Sequence, residues 1–463
     1  MRMTVGELAS HAEGRVAIGD PGTAVRSFGF DSRDLAPGSC FVALRGHRDG
    51  HDFVDEALAR GAVVALVSRT VPLHHAPHGA LVLVDDTIAA LGRVARRVRS
   101  ARADLDVVAV AGSTGKTSTK DLLAGILSGA GRVAHANPES FNNEFGLPIT
   151  LLNMPARAHV VVTEMGERFP GDIAALCAIA SPTVGVVTNV GLAHAEHLGG
   201  REGAARAMAE LIESLSDAAV AVLNADDEHT PWLASRSAAR VITVGTAADA
   251  DVVVADLRVD DDLRPSFELD GTRYHVPLRG AHQAHNAALA VVVARELGLA
   301  AEQIASALAH ARPSRWRMEI DVSDAGVTVV NDAYNANPAS MDAALHALAR
   351  LPVAGRRIAV LGDMRELGPH AADAHAEIGR LSATLGVDVV VGVGAGGAAI
   401  ATAAGGGAAT HRVDDAAAAL ALVREIVAPG DAVLVKASRA LHLERVAAAL
   451  LDDAPVNGRG GAS

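Results

Sequence analysis

Residues 107–123, VVAVAGSTGKTSTKDLL, constrain the fold of this chain more than any other stretch. The apolar run 107–111 has the composition of a buried strand. Gly112, Ser113, Thr114 and Gly115 then predict a tight turn, because glycine tolerates the backbone angles of a phosphate-cradling loop. Lys116, Thr117 and Ser118 open a helix that runs on to Leu123. The N–H groups at such a helix start point outward, and the helix dipole favours negative charge there. Lys116 would reach the outer phosphates of a nucleotide, and the Thr117 hydroxyl would hold Mg²⁺. A strict phosphate-loop pattern has glycine where this chain has Val110, so the pattern fails at its first residue. A plain Gly/Ser/Thr turn is the ordinary alternative, but strand, loop, Lys-Thr and helix in this order favour nucleotide binding.

The lysines sharpen that reading. Lysine and arginine total 41, yet only Lys116, Lys120 and Lys436 are lysine. A compact ammonium survives where arginine's wide planar fork will not serve. Lys120 reads as a helix-surface residue, which leaves Lys116 and Lys436 as candidates for chemistry.

A chain of 463 residues, half of them hydrophobic, is long enough for several domains with large cores. The net charge of −13 argues against nucleic acid or an anionic membrane as the main partner. No apolar run approaches the ~20 residues of a membrane span. The N-terminus carries no apolar signal segment. Cys40 and Cys177 match no disulfide or metal spacing, as expected of a cytoplasmic protein.

Three α/β units and a tail are expected. Residues 1–102 alternate short strands and helices, with Asp31, Ser32 and Arg33 in a loop, and Asp31, Arg33 and His51 read first as loop and capping residues. Residues 103–310 begin at the phosphate loop. Within them, the segment 137–148, NPESFNNEFGLP, has no apolar period and reads as a loop. Strands are expected at 160–164, ending in Glu164, and at 184–188, with His194 shortly after. Strands alternating with helices predict a mainly parallel sheet covered on both faces, with ligands at the carboxyl ends of its strands. Residues 251–276 read as a β-rich excursion. Residues 311–451 form a third unit whose strands end in Asn331-Asp332 and in Lys436. The Gly/Ala stretch 394–409 reads as a loose helix and loop, and residues 452–463 as a disordered tail.

Taken in order, GSTGKT, SFNNEFGLP, VVVTEMG, NVGLAHAEHLG, NADD, RWRMEI, NDAYNANP, LGDMRELG and LVKASR closely resemble the Mur ligase family, in its MurF type. DSR at 31–33, PGSCFVALRG and DGHDF in the first unit fit too, so the resemblance extends to about residue 450. It implies three domains: a binding domain for a UDP-sugar peptide, a central phosphate-loop ATPase domain on a parallel sheet, and a C-terminal Rossmann-like domain. It also implies an ATP-dependent ligase that joins D-alanyl-D-alanine to UDP-N-acetylmuramoyl-tripeptide through an acyl phosphate, in cytoplasmic peptidoglycan precursor synthesis; apart from the resemblance, a monomer is expected.

Site residues carry over by position. Ser32 and Arg33 would contact the UDP-sugar peptide. Lys116 would bind the phosphates, Thr117 and Glu164 one Mg²⁺, and His194 a second. Asn142 and Asn143 would approach the reacting phosphate. Asn286 resembles the family's adenine-side asparagine and His282 matches the same motif, although Gln283 stands where asparagine is usual. Arg317 and Asp332 would close onto the nucleotide. Lys436, Ser438 and Arg439 would lie near the dipeptide or the acceptor peptide. One departure stands out: Met208 falls where these ligases carry a lysine whose carbamate helps hold the second Mg²⁺. Methionine forms no carbamate, and its thioether is a poor ligand for a hard cation. The alternatives are a related ligase for another peptide, an unrelated kinase and a nucleotide-binding homologue without activity.

Overall fold

The structure is a computed structural model that describes residues 3–76, 78–138, 140–312 and 315–452. Residues 453–463 of the expected tail lie outside the described residues, and Asp452 ends the helix Glu444–Asp452 rather than beginning a tail.

The run 107–111 is buried along its whole length, as a strand covered on both faces must be. It forms the strand Asp106–Ala111, near the middle of a seven-stranded sheet. On one side it pairs with Val160–Glu164, and Ala134–Ala136 lies beyond. On the other it pairs with Val184–Val187, followed by Val220–Asn224, Arg240–Gly245 and Val252–Val253. All of these pairings are parallel, so the carboxyl ends share one edge. The chain departs to opposite sides of Asp106–Ala111, which opens a crevice at its carboxyl end. Residues 255–275 form the expected β-rich excursion, a three-stranded antiparallel sheet.

The first unit is a five-stranded sheet in the order Arg15–Ile18, Ala80–Leu83, Val64–Val67, Ser39–Val42, Ser27–Gly29. Its helix Thr87–Ser100 shares one apolar cluster with helices Gly146–Leu152 and Asp172–Ala180 of the central unit. The third unit is a six-stranded sheet, parallel except for its edge strand Glu319–Val322.

Three expectations need correction. The motif SFNNEFGLP is not loop throughout: Gly146, Leu147 and Pro148 open the helix Gly146–Leu152, where a first-turn proline costs no hydrogen bond. Lys120 is not a surface residue. It is 1% exposed and donates to the Asn137 carbonyl at 2.8 Å, so its charge is spent under the loop that follows Ala134–Ala136. The Gly/Ala stretch is firmer than expected, forming the helix Gly394–Ala404 with the strand Ala409–Val413 close behind.

Candidate active site

The phosphate loop is set by two glycines at positive φ, Gly112 at 136° and Gly115 at 80°. A Cβ at Gly112 would strike the Thr188 hydroxyl, and one at Gly115 the Asn286 amide. Asn189 ties the loop down, accepting from the Thr114 N–H at 3.0 Å and donating to the Thr114 hydroxyl at 2.7 Å. The Ser113 hydroxyl accepts from the Gly191 N–H at 2.7 Å. The helix Lys116–Gly129 starts at Gly115 with no side-chain cap, which leaves its positive end for an anion. Ser118, in the first turn, is buried.

Parallel pairing sets Glu164 opposite Val110, so its carboxylate lies beside the loop. Glu164 Oε2 accepts from the Thr117 hydroxyl at 2.7 Å, and Oε1 from Asn142 Nδ2 at 2.8 Å. Asn143 turns elsewhere: its Oδ1 accepts from the Gly146 N–H at 2.9 Å, an end-capping role in the helix Gly146–Leu152. Lys116 donates to the Gly112 carbonyl and stands 3.3 Å from Glu167 Oε2. Glu167 is a buried carboxylate that the sequence reading passed over, although it lies only three residues beyond Glu164.

The third unit reaches over this loop. Arg317 Nη2 donates to the Thr117 hydroxyl at 2.8 Å, and the guanidinium lies 4.1 Å from the Tyr334 ring centroid. Asn337 Nδ2 donates to the Ser113 carbonyl at 3.3 Å, and the Tyr334 hydroxyl bonds Ser140. Asp332 and Lys436 follow from the register of two adjacent parallel strands, in which Asn331 opposes Val435. Lys436 Nζ stands 2.6 Å from Asp332 Oδ2 and is 2% exposed, so it is a buried, paired ammonium. Ser438 is buried and accepts from the Arg365 N–H at 2.9 Å. Arg439 is exposed, stacks 4.3 Å from the Trp316 ring centroid and pairs with Glu444 at 2.9 Å.

His282 adjoins this group from the central unit. Burial pushes its pKa down to about 4; Asp332 opposes the shift and Lys436 adds to it. Gln283 bonds Asn286 at 2.9 Å and reaches His282 Nε2 at 3.1 Å, so the unexpected glutamine links the two motif residues. His194 sits at φ 51° and bonds Glu366 of the third unit. Met208 is fully buried among apolar side chains and offers no oxygen to the site. In the first unit, Ser32 is buried, while Arg33 is exposed and paired with Asp31 at 2.7 Å. Phe30, just before them, meets Phe141 and Phe145 at 5.7 and 5.4 Å, which sets the DSR loop beside SFNNEFG.

These residues suit MgATP. The uncapped helix start and the buried, unpartnered Arg317 Nε both await an anion. The Thr117 hydroxyl and Glu164 carboxylate are hard oxygen donors suited to Mg²⁺, which characteristically takes one or two carboxylates plus phosphate oxygens and water.

Comparison with known proteins converges on one family. Three domain models match in order: "Mur ligase family, catalytic domain" at 24–99, "Mur ligase middle domain" at 110–294 and "Mur ligase, glutamate ligase domain" at 316–439. A Mycobacterium tuberculosis protein named UDP-N-acetylmuramoyl-tripeptide–D-alanyl-D-alanine ligase is 42% identical, over 98% of each chain. The crystal structure of MurF from Acinetobacter baumannii superposes with a TM-score of 0.87 at 30% identity, covering 98% of this chain and 99% of that one. MurF from Thermotoga maritima, solved in complex with ADP, gives 0.78 at 31% identity, over 92% and 97%. With whole-chain identity of this order and all three domains present in sequence, the chain belongs to the Mur ligase family.

Proposed function

We propose that this chain joins the amino group of D-alanyl-D-alanine to the terminal carboxylate of UDP-N-acetylmuramoyl-tripeptide, with ATP converted to ADP and phosphate, in cytoplasmic peptidoglycan precursor synthesis. The observation that carries this reading is the Thr117 hydroxyl, bonded at once by Glu164 of the central unit and Arg317 of the third. Such a contact gathers groups from two domains onto one phosphate loop.

A carboxylate is a poor electrophile, and transfer of the ATP γ-phosphoryl group gives it a good leaving group. The dipeptide amine then attacks the acyl carbon, and phosphate departs. Thr117 and Glu164 would hold one Mg²⁺ and His194 a second, and the ions would supply neutralisation of phosphate charge. The protein's own contribution is placement and charge. Lys116 and the helix start bind the phosphates, and Arg317 brings a guanidinium to the same anion. Asn142 keeps Glu164 turned toward Thr117. Lys436, neutralised by Asp332 at the end of its strand, would lie near the incoming dipeptide. Ser32 and Arg33 lie on the loop proposed for the UDP-sugar peptide, and Asn286 and His282 on the adenine side. Closure of the third unit on the second would exclude water, which would otherwise hydrolyse the acyl phosphate.

The test is ADP release measured with each substrate omitted in turn. Release that requires ATP, the UDP-linked tripeptide and D-alanyl-D-alanine together supports the reading. Release with any other dipeptide in preference to D-alanyl-D-alanine would reassign the substrate.

A further inference from the structure

His194 and Glu366 come from different units, 172 residues apart, and meet side chain to side chain. Glu366 Oε2 bonds His194 Nδ1, while its Oε1 stands 3.1 Å from Arg168 Nη2. The backbone repeats the contact, for the Glu196 N–H donates to the Glu366 carbonyl at 3.0 Å. Both side chains leave left-handed backbone, with φ 51° at His194 and 62° at Glu366. Non-glycine residues adopt this conformation seldom, and it clusters where a side chain must be aimed. The loop that carries Glu366 is pinned from behind: the Arg365 N–H donates to Ser438 at 2.9 Å, and the Met364 N–H to His375 at 2.9 Å.

A carboxylate only accepts hydrogen bonds, so its contact with Nδ1 puts the ring proton on Nδ1. Nε2 then carries the lone pair and is free to ligate. Histidines that hold metals commonly donate their other N–H to a carboxylate, which fixes the ring and makes it a stronger ligand. We propose that Glu366 is the positioning residue of His194. It holds the Nδ1–H tautomer and aims Nε2 at the cation. Because Glu366 travels with the third unit, the second cation site is complete only when that unit closes on the central one. The arrangement also bears on Met208: with no carbamate available, the site relies on an imidazole strengthened by its carboxylate partner. This inference rests on the reading of His194 as a cation ligand.

The experiment uses Mn²⁺ as the probe, titrated into the full chain with a non-hydrolysable ATP analogue and followed by electron paramagnetic resonance. The native protein should bind two Mn²⁺ ions. Glu366→Ala should weaken the second about 10–100-fold and leave the first unchanged. Arg168→Ala removes the ion pair on the other oxygen and should leave both affinities near native. Nitrogen-15 spectra of histidine-labelled protein, with His194 assigned by its loss in His194→Gln, should show a protonated Nδ1 that Glu366→Ala shifts. Native Mn²⁺ binding and an unmoved His194 signal in a folded Glu366→Ala protein would overturn the inference while leaving His194 a ligand. Two Mn²⁺ ions bound by His194→Gln would instead overturn the ligand reading itself.

Discussion

Glu167 holds both its carboxylate oxygens within 3.5 Å of the Lys116 ammonium, and its side chain is wholly removed from solvent. A buried carboxylate thus occupies the lysine that the phosphates require. Removing one partner of a buried pair leaves the other charge uncompensated, at a cost of about 3–5 kcal/mol. Glu167→Gln should therefore lower the melting temperature of the nucleotide-free protein. A non-hydrolysable ATP analogue should restore much of the loss, giving the variant a larger thermal shift than the native protein. Equal shifts in the two proteins would count against competition between Glu167 and phosphate.

Lys116 itself should be irreplaceable. Its ammonium fits between the Gly112 carbonyl and Glu167, a space shaped for a point charge rather than a planar fork. Lys116→Ala should reduce kcat by about 10²–10³ or more, the usual scale for one lost electrostatic donor. Lys116→Arg should not rescue it. Near-normal turnover by the arginine variant would refute the argument drawn from the scarcity of lysine.

The phosphate loop was legible in the sequence because a buried strand, two glycines and Lys-Thr each leave a local signature. Glu164 and His194 drew notice for a related reason, as Glu164 ends a strand and His194 lies in the loop after one, on the ligand-binding edge of a parallel sheet. Glu366 was not, although LGDMRELG drew notice as a motif. Its role depends on a contact 172 residues away, between units whose docking no local pattern encodes. Glu167 was passed over, because no local pattern tells a buried loop carboxylate from a solvated one. Lys120 misled for the opposite reason: a lysine in a helix is ordinarily solvated, and only the tertiary path of the chain at Asn137 buries this one. The GLP of SFNNEFGLP was missed because Gly and Pro usually break helices, whereas here they start one.

Met208 leads to a prediction about carbon dioxide. The native enzyme should turn over equally in bicarbonate-free and bicarbonate-supplemented buffer, having no lysine there to carbamylate. Met208→Lys places an ammonium in an apolar cluster and should lower stability without bicarbonate. Bicarbonate should then raise both its stability and its activity through the carbamate. A native enzyme that responds to bicarbonate, or a lysine variant indifferent to it, would contradict this assignment.

His282 predicts a pH effect. Its folded pKa of about 4 lies below the ~6.5 of an unfolded histidine. Between these values the unfolded chain binds a proton that the folded chain does not, so stability falls as pH drops from ~6.5 towards ~4. His282→Gln should flatten that part of the curve relative to the native protein. Urea midpoints at pH 7, 6 and 5 would measure the difference, and parallel curves would show that His282 is not the group responsible.

Activation of the tripeptide carboxylate as an acyl phosphate is the central chemical claim. The direct measurement labels that carboxylate with oxygen-18 and follows the label into products by mass spectrometry. Phosphoryl transfer to the carboxylate predicts one labelled oxygen in each phosphate released, with ADP as the nucleotide product and formation of the amide dependent on D-alanyl-D-alanine. Phosphate free of label, or AMP in place of ADP, would contradict it.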